Sequence, residues 1–156
     1  EEMAEKYKAP LVQLPIGEIM RWRNISIENL PLDKTPKSYI SSAKTAIIKI
    51  RFADKTIAVI TETTEYSLRE AFKNSEPIDI IIITDHGNRS YFVPMLYQIK
   101  ELTDVEKFIF TSTSAPDNDK IENWCRENNV EFMHTGITGM IKLKEKNNKL
   151  NITTWK

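Results

Sequence analysis

Between Pro77 and Asp85 the chain reads Ile78-Asp79-Ile80-Ile81-Ile82-Ile83-Thr84, five isoleucines in seven residues. A β-branched run with no polar alternation is the signature of a central strand covered on both faces. Such a strand needs a layer of structure on each side, so the chain must fold as a layered α/β protein around it. The neighbouring segments supply the pieces. Thr45–Phe52 sets Ala46, Ile48, Ile50 and Phe52 against Lys49 and Arg51 on the other face. Ala53-Asp54 then reads as a tight turn into Lys55–Thr61, making the pair a hairpin. Phe108–Thr113 and Glu131–His134 are shorter strands, and Met140–Leu143 and Leu150–Thr154 flank Lys146-Asn147-Asn148 as a closing hairpin.

Helical spacing fills the gaps. Glu65–Asn74 groups Leu68, Ala71 and Phe72; Tyr91–Leu102 groups Phe92, Met95, Leu96 and Ile99, with Pro94 tolerable in the first turn. Asp119–Asn129 places Ile121, Trp124 and Cys125 at i, i+3 and i+4, with Ser114 or Asp117 available as a cap. The order β-β-α-β-α-β-α-β-β-β predicts an α/β (α+β) fold, a mixed β-sheet with helices packed on it. Residues 31–44, with Pro31 and Pro36, read as a long loop. The 21 isoleucines supply a core at roughly 1.5–3 kcal/mol per buried aliphatic side chain.

Composition narrows the function classes. The 156 residues suit one domain, expected over 1–156. Lys+Arg and Asp+Glu both number 22, so the whole molecule exerts no net field on nucleic acid or membrane. A local patch is what remains for such contacts. No apolar run approaches the roughly 20 residues of a membrane span. One cysteine, Cys125, excludes an internal disulfide and a multi-cysteine zinc cluster. The acidic opening Glu1-Glu2 is no leader, and a chain that starts without Met reads as a piece of something longer.

Few residues carry chemistry. Thr84-Asp85-His86-Gly87 follows the isoleucine strand, the position where α/β proteins keep their sites, and Gly87 permits a tight turn there. His86 suits a metal ligand or a general base, yet Asp85 and His86 alone fall short of the three or four ligands a metal site needs. The plain alternative is a strand-to-helix loop capped by the Asp. His134 has no second ligand beside it, and Cys125 beside Trp124 reads as packing. Thr111-Ser112-Thr113-Ser114 carries no Gly-x-Gly or Gly-Lys-Ser pattern, which leaves its hydroxyls as loop and cap groups.

Charge is segregated despite the zero total. Residues 34–55 hold six basic residues (Lys34, Lys37, Lys44, Lys49, Arg51 and Lys55) against Asp54, and residues 142–156 hold five lysines against Glu145. Residues 101–131 carry eight acids against Lys107, Lys120 and Arg126. By strand alternation Lys49, Arg51, Lys142 and Lys144 point away from the core. If the two hairpins are neighbours, they form one basic face able to track phosphates, with Tyr39 or Trp155 available to stack on bases. A solvated outer face is the competing reading.

Read in order, Gly17-Glu18-Ile19-Met20-Arg21-Trp22 on to Leu30-Pro31, the two-stranded 47–61 segment, Asp79–Gly87, Lys107–Ser114, Lys120–Cys125 and Thr135–Leu143 resemble a known domain. It is the second half of the metallo-β-lactamase-fold domain at the C-terminus of competence DNA-uptake channel proteins of the ComEC type. The similarity covers residues 10–154. It implies half of an αββα sandwich, belonging to a longer membrane protein and expected on the extracytoplasmic side.

Active members of that family bind two metals through a His-x-His-x-Asp-His cluster, which this chain lacks. Their Thr-Gly-Asp element falls on Thr61-Glu62-Thr63, with Thr at the ligand position. Their His-His-Gly-Ser element survives as Asp85-His86-Gly87-Asn88, leaving Asp85 and His86 as a relic site. Holding two ions about 3.5–4 Å apart is beyond that set. The expectation is therefore a non-catalytic domain without cofactor, contacting single-stranded DNA or the channel part of its parent through Lys49, Arg51, Arg89, Lys142 and Lys144. Two rivals stand beside it. One is a metal-dependent phosphodiesterase or nuclease, with zinc or manganese held partly by ligands outside this chain. The other is a protein-interaction module with an uncovered apolar sheet face or a homodimer.

Overall fold

The computed structural model describes residues 14–30, 46–61, 65–73, 75–84, 92–111 and 119–155. In chain order the elements are β1 (Ile19–Trp22), β2 (Ile25–Asn29), β3 (Ile47–Phe52), β4 (Lys55–Ile60), α1 (Glu65–Phe72), β5 (Ile80–Thr84) and α2 (Phe92–Leu102). There follow β6 (Lys107–Thr111), α3 (Asp119–Glu127), β7 (Glu131–His134), a single-turn α4 (Thr135–Thr138), β8 (Met140–Lys146) and β9 (Lys149–Trp155). Strands β1 to β7 make one sheet in sequence order, and β8 and β9 make a second. The mixed α/β architecture expected from the isoleucine run is present. The β1–β2 hairpin was not expected, because its alternation (Ile25 and Ile27 against Ser26 and Glu28) spans only five residues.

The sheet divides into two halves. β1 to β4 are antiparallel neighbours, while β4, β5, β6 and β7 are parallel. Each parallel step advances the sheet in the same direction. Right-handed crossovers that never reverse must put all their helices on one face. The packing shows this: Leu68, Ala71 and Phe72 of α1, Leu96 and Ile99 of α2, and Ile121, Trp124 and Cys125 of α3 share one buried cluster with Ile47, Ile81, Phe108 and Phe110. α3 ends in a Schellman motif, in which the Val130 N–H donates to Cys125 O (2.9 Å) and the Asn129 N–H to Arg126 O (3.3 Å), with Asn129 at φ 55°. That turn sends the chain directly into β7.

The opposite face depends on the second sheet. Ile57, Ile80 and Ile109 are buried there beneath Ile141, Leu143, Leu150 and Ile152 of the β8–β9 hairpin. The hairpin turns at Asn147-Asn148, both with positive φ (56° and 58°), which a two-residue type I′ loop requires and Asn tolerates. Its tip is fastened by the Leu150 N–H donating to Asp54 Oδ1 at 2.8 Å. At the same end of the sheet Asp79, the polar residue of the isoleucine run, stitches strands together. Its Oδ2 accepts from the Thr56 N–H (2.7 Å) and its Oδ1 meets Lys55 Nζ (3.3 Å). Two strands thus cover part of a seven-stranded sheet.

Candidate functional site

The carboxyl ends of the parallel strands would hold a site of the expected kind. Asp85, His86 and Arg89, together with Glu62, Thr63 and Tyr39, lie outside the described residues. Of the described groups at that edge, Thr61 Oγ1 donates to Ala46 O (3.1 Å) and accepts from the Ala46 N–H (2.9 Å), so the hydroxyl closes the β3–β4 ladder. Thr84 Oγ1 donates to Ile60 O (3.4 Å). Among the described residues no three His, Cys, Asp or Glu side chains converge as a metal-binding group. Of the chain's two histidines, only His134 falls among the described residues.

His134 ends β7 at 1% exposure. Its Nδ1 accepts the Gly136 N–H at 3.0 Å, capping α4, and its Nε2 is buried without a partner among the described residues. That bond fixes the neutral tautomer with hydrogen on Nε2. Burial pushes its pKa below the ordinary 6.5. The residue is a buried cap. Cys125 is also buried, and that burial, with the Glu122 charge second, pushes its thiol up to about 12. A thiol held that high is no nucleophile at neutral pH.

The basic residues are distributed differently from the expectation. Lys49 and Arg51 sit on the Ile47 face, the one the helices cover, and each is paired with an acid. Lys49 is only 9% exposed, and its Nζ meets Glu28 Oε2 at 2.6 Å, directly across the β2–β3 ladder. Arg51 pairs with Glu76. Lys142 and Lys144 lie on the outer face of the β8–β9 hairpin, which packs on the opposite side of the sheet. The two pairs therefore do not form one basic face. The expectation that Lys49 points away from the core is corrected: it shares the helix-covered face with buried Ile47. Strand β3 is covered on both sides, and alternation alone does not say which face is the open one, nor on which side of the sheet the closing hairpin lands.

A narrower basic surface takes that place. On the outer face of the hairpin the opposed pairs are Met140 with Trp155, Lys142 with Thr153, Lys144 with Asn151, and Lys146 with Lys149. All eight are exposed, Trp155 at 69%. Four cations and one indole thus occupy one ribbon with no acid on that face. Glu145 belongs to the other face and accepts the Asn148 N–H (2.7 Å) at the turn. Sequence reading assigned no role to Lys146 or Lys149. Extending the alternation of Lys142 and Lys144 to the turn would have found them.

The chain matches no protein-family model and no curated protein. Its fold is shared with solved structures. A mutant of CmlA beta-hydroxylase aligns with TM-score 0.56 and 11% identity, over 79% of this chain and 32% of that one. A protein from Parabacteroides distasonis named as a metal-dependent hydrolase aligns with TM-score 0.51 and 12% identity, over 87% of this chain and 62% of that one. The chain therefore spans less than two thirds of either protein's length. These are metallo-β-lactamase-like folds, and the fold is what they share with this chain. Among the described residues no helix is long and apolar enough to cross a membrane.

Proposed function

We propose that this chain is a non-catalytic, metallo-β-lactamase-like domain of a DNA-uptake protein, which contacts single-stranded DNA through the outer face of the β8–β9 hairpin. The observation that carries the reading is the exposed ribbon of Lys142, Lys144, Lys146 and Lys149 beside exposed Trp155. Lysines at every second residue of an extended strand form a line of point charges suited to a phosphate backbone. A flat indole at its end gives a base something to stack on. The resemblance to competence channel domains supports the DNA-uptake assignment.

Fluorescence anisotropy with labelled oligonucleotides tests this. Four phosphate contacts on a single strand give a log–log salt slope of about −3, a loss of roughly 50-fold in affinity between 50 and 200 mM salt. The double reversal Lys142→Glu/Lys144→Glu should at least halve that slope, and Trp155→Ala should weaken binding without changing it. Absence of binding at low salt sinks the proposal. The shared fold with a protein named as a metal-dependent hydrolase favours a second reading, a phosphodiesterase completed by ligands outside this chain. Stoichiometric zinc or manganese in the purified protein, lost in His86→Ala, would establish it.

A further inference from the structure

The outer edge of the seven-stranded sheet is unusually apolar. Among the described residues eight large hydrophobic side chains are exposed, and four of them (Ile16, Ile19, Met20 and Trp22) fall within residues 16–22. All four residues of β1 are exposed, and among the described residues the strand pairs on one side only, with β2. An open edge with apolar side chains on both faces is a template for another strand.

Which backbone groups point outward follows from the ladder. Trp22 and Ile25 flank the two-residue turn, and the Asn29 N–H donates to Glu18 O (3.4 Å). Hydrogen-bonded pairs alternate along an antiparallel ladder, so Glu18, Met20 and Trp22 turn toward β2, and Ile19 and Arg21 turn their N–H and C=O groups outward. Gly17, at φ 81°, commits its N–H to Asn29 O (2.7 Å) and closes the strand's start. The free edge is therefore short, and it is symmetric about Met20.

We propose that β1 pairs antiparallel with β1 of a second copy about a two-fold axis at Met20, continuing the sheet across a dimer. In that register Ile19 lies opposite Arg21 of the partner subunit and Arg21 opposite the partner's Ile19, and all outward groups are satisfied by four hydrogen bonds. Met20 faces the partner's Met20, and Trp22 faces the partner's Glu18. The alternative registers fail on the chain's own chemistry. Centring on Arg21 opposes two like charges, and centring on Ile19 calls on the committed Gly17 N–H. No other strand need be supplied, because this edge complements itself. So short an interface lies below the standard size, so dimerisation falls at roughly 10–100 μM rather than nanomolar concentrations.

Sedimentation across that range should show the mass rising from 18.1 kDa toward twice that value. Amide exchange at Ile19 and Arg21 should slow several-fold with concentration, while other amides outside the ladders do not change. Met20→Lys, which opposes two positive charges on the axis, should hold the protein monomeric with unchanged circular dichroism. Ile19→Pro, which removes an outward donor, should do the same. A monomer throughout overturns the proposal, as does a dimer whose Ile19 and Arg21 amides exchange freely or one that survives Met20→Lys.

Discussion

The Gly136 backbone N–H donates to Nδ1 of buried His134 at 3.0 Å, and this bond caps the turn that carries the chain from one sheet to the other. The acceptor exists only while the imidazole is neutral. Because burial lowers the folded pKa below 6.5, the unfolded chain binds a proton more readily. The contribution is fully present above pH 6.5 and is lost as pH falls from there through the folded value. Urea midpoints should therefore drop between about pH 7.5 and 5.5. His134→Asn retains a capping oxygen without titrating, and should flatten that dependence while lowering stability at both values.

Asp54 acts in the same direction at more acid pH. The Leu150 N–H, then its own backbone N–H and the charges of Lys55 and Lys149, hold its carboxyl below the ordinary 3.8 against desolvation. Its contribution is present above pH 3.8 and lost below as the carboxylate protonates. Hydrogen exchange at the Leu150 amide reads this directly. It should accelerate in acid beyond the intrinsic pH trend, and should be fast at neutral pH in Asp54→Ala.

The two hydrophobic clusters should respond unequally to truncation. Ile81 is fully buried under the helices, and Ile81→Ala should cost about 2–5 kcal/mol in denaturant unfolding. Leu143 covers the other face while only half-buried. Leu143→Ala should fall below that range, because the vacated space opens to solvent. Equal costs would show the hairpin packed more tightly than its exposure indicates.

Lys49 and Glu28 form a charge pair largely withdrawn from water. Removing either charge leaves the other under-solvated, so Lys49→Met and Glu28→Leu should each destabilise by about 3 kcal/mol or somewhat less, given residual exposure. The double variant should recover most of that loss. A double-mutant cycle with near-additive losses would show the pair to be solvent-screened.

The turn at Asn147-Asn148 needs two left-handed residues. Asn148→Gly should stabilise the protein by a few tenths of a kcal/mol, and Asn148→Val should cost about 1–2 kcal/mol from the left-handed backbone alone. Thermal unfolding of both variants checks the assignment.

Much of this architecture was legible in the residues themselves. The run Ile80–Ile83 demanded cover on both faces, Leu68, Leu96 and Ile121 marked the helical faces that provide it on one side, and Asn147-Asn148 marked the closing turn. These are local signals, set by side-chain branching, period and backbone sterics within a few residues. The β1–β2 hairpin escaped because its alternation is short and its side chains stay exposed in β1 and only half-buried in β2. Lys49 and Lys142 show the other limit. Alternation fixes which neighbours a lysine shares a face with, and nothing local states what lies across that face. Glu28 reaches Lys49 through strand pairing over 21 residues, and Asp54 reaches Leu150 over 96. The sequence by itself determined the elements and their apolar faces. Only the tertiary structure decided that the closing hairpin lies opposite the helices, because one-way right-handed crossovers fill the first face and leave the second to be covered.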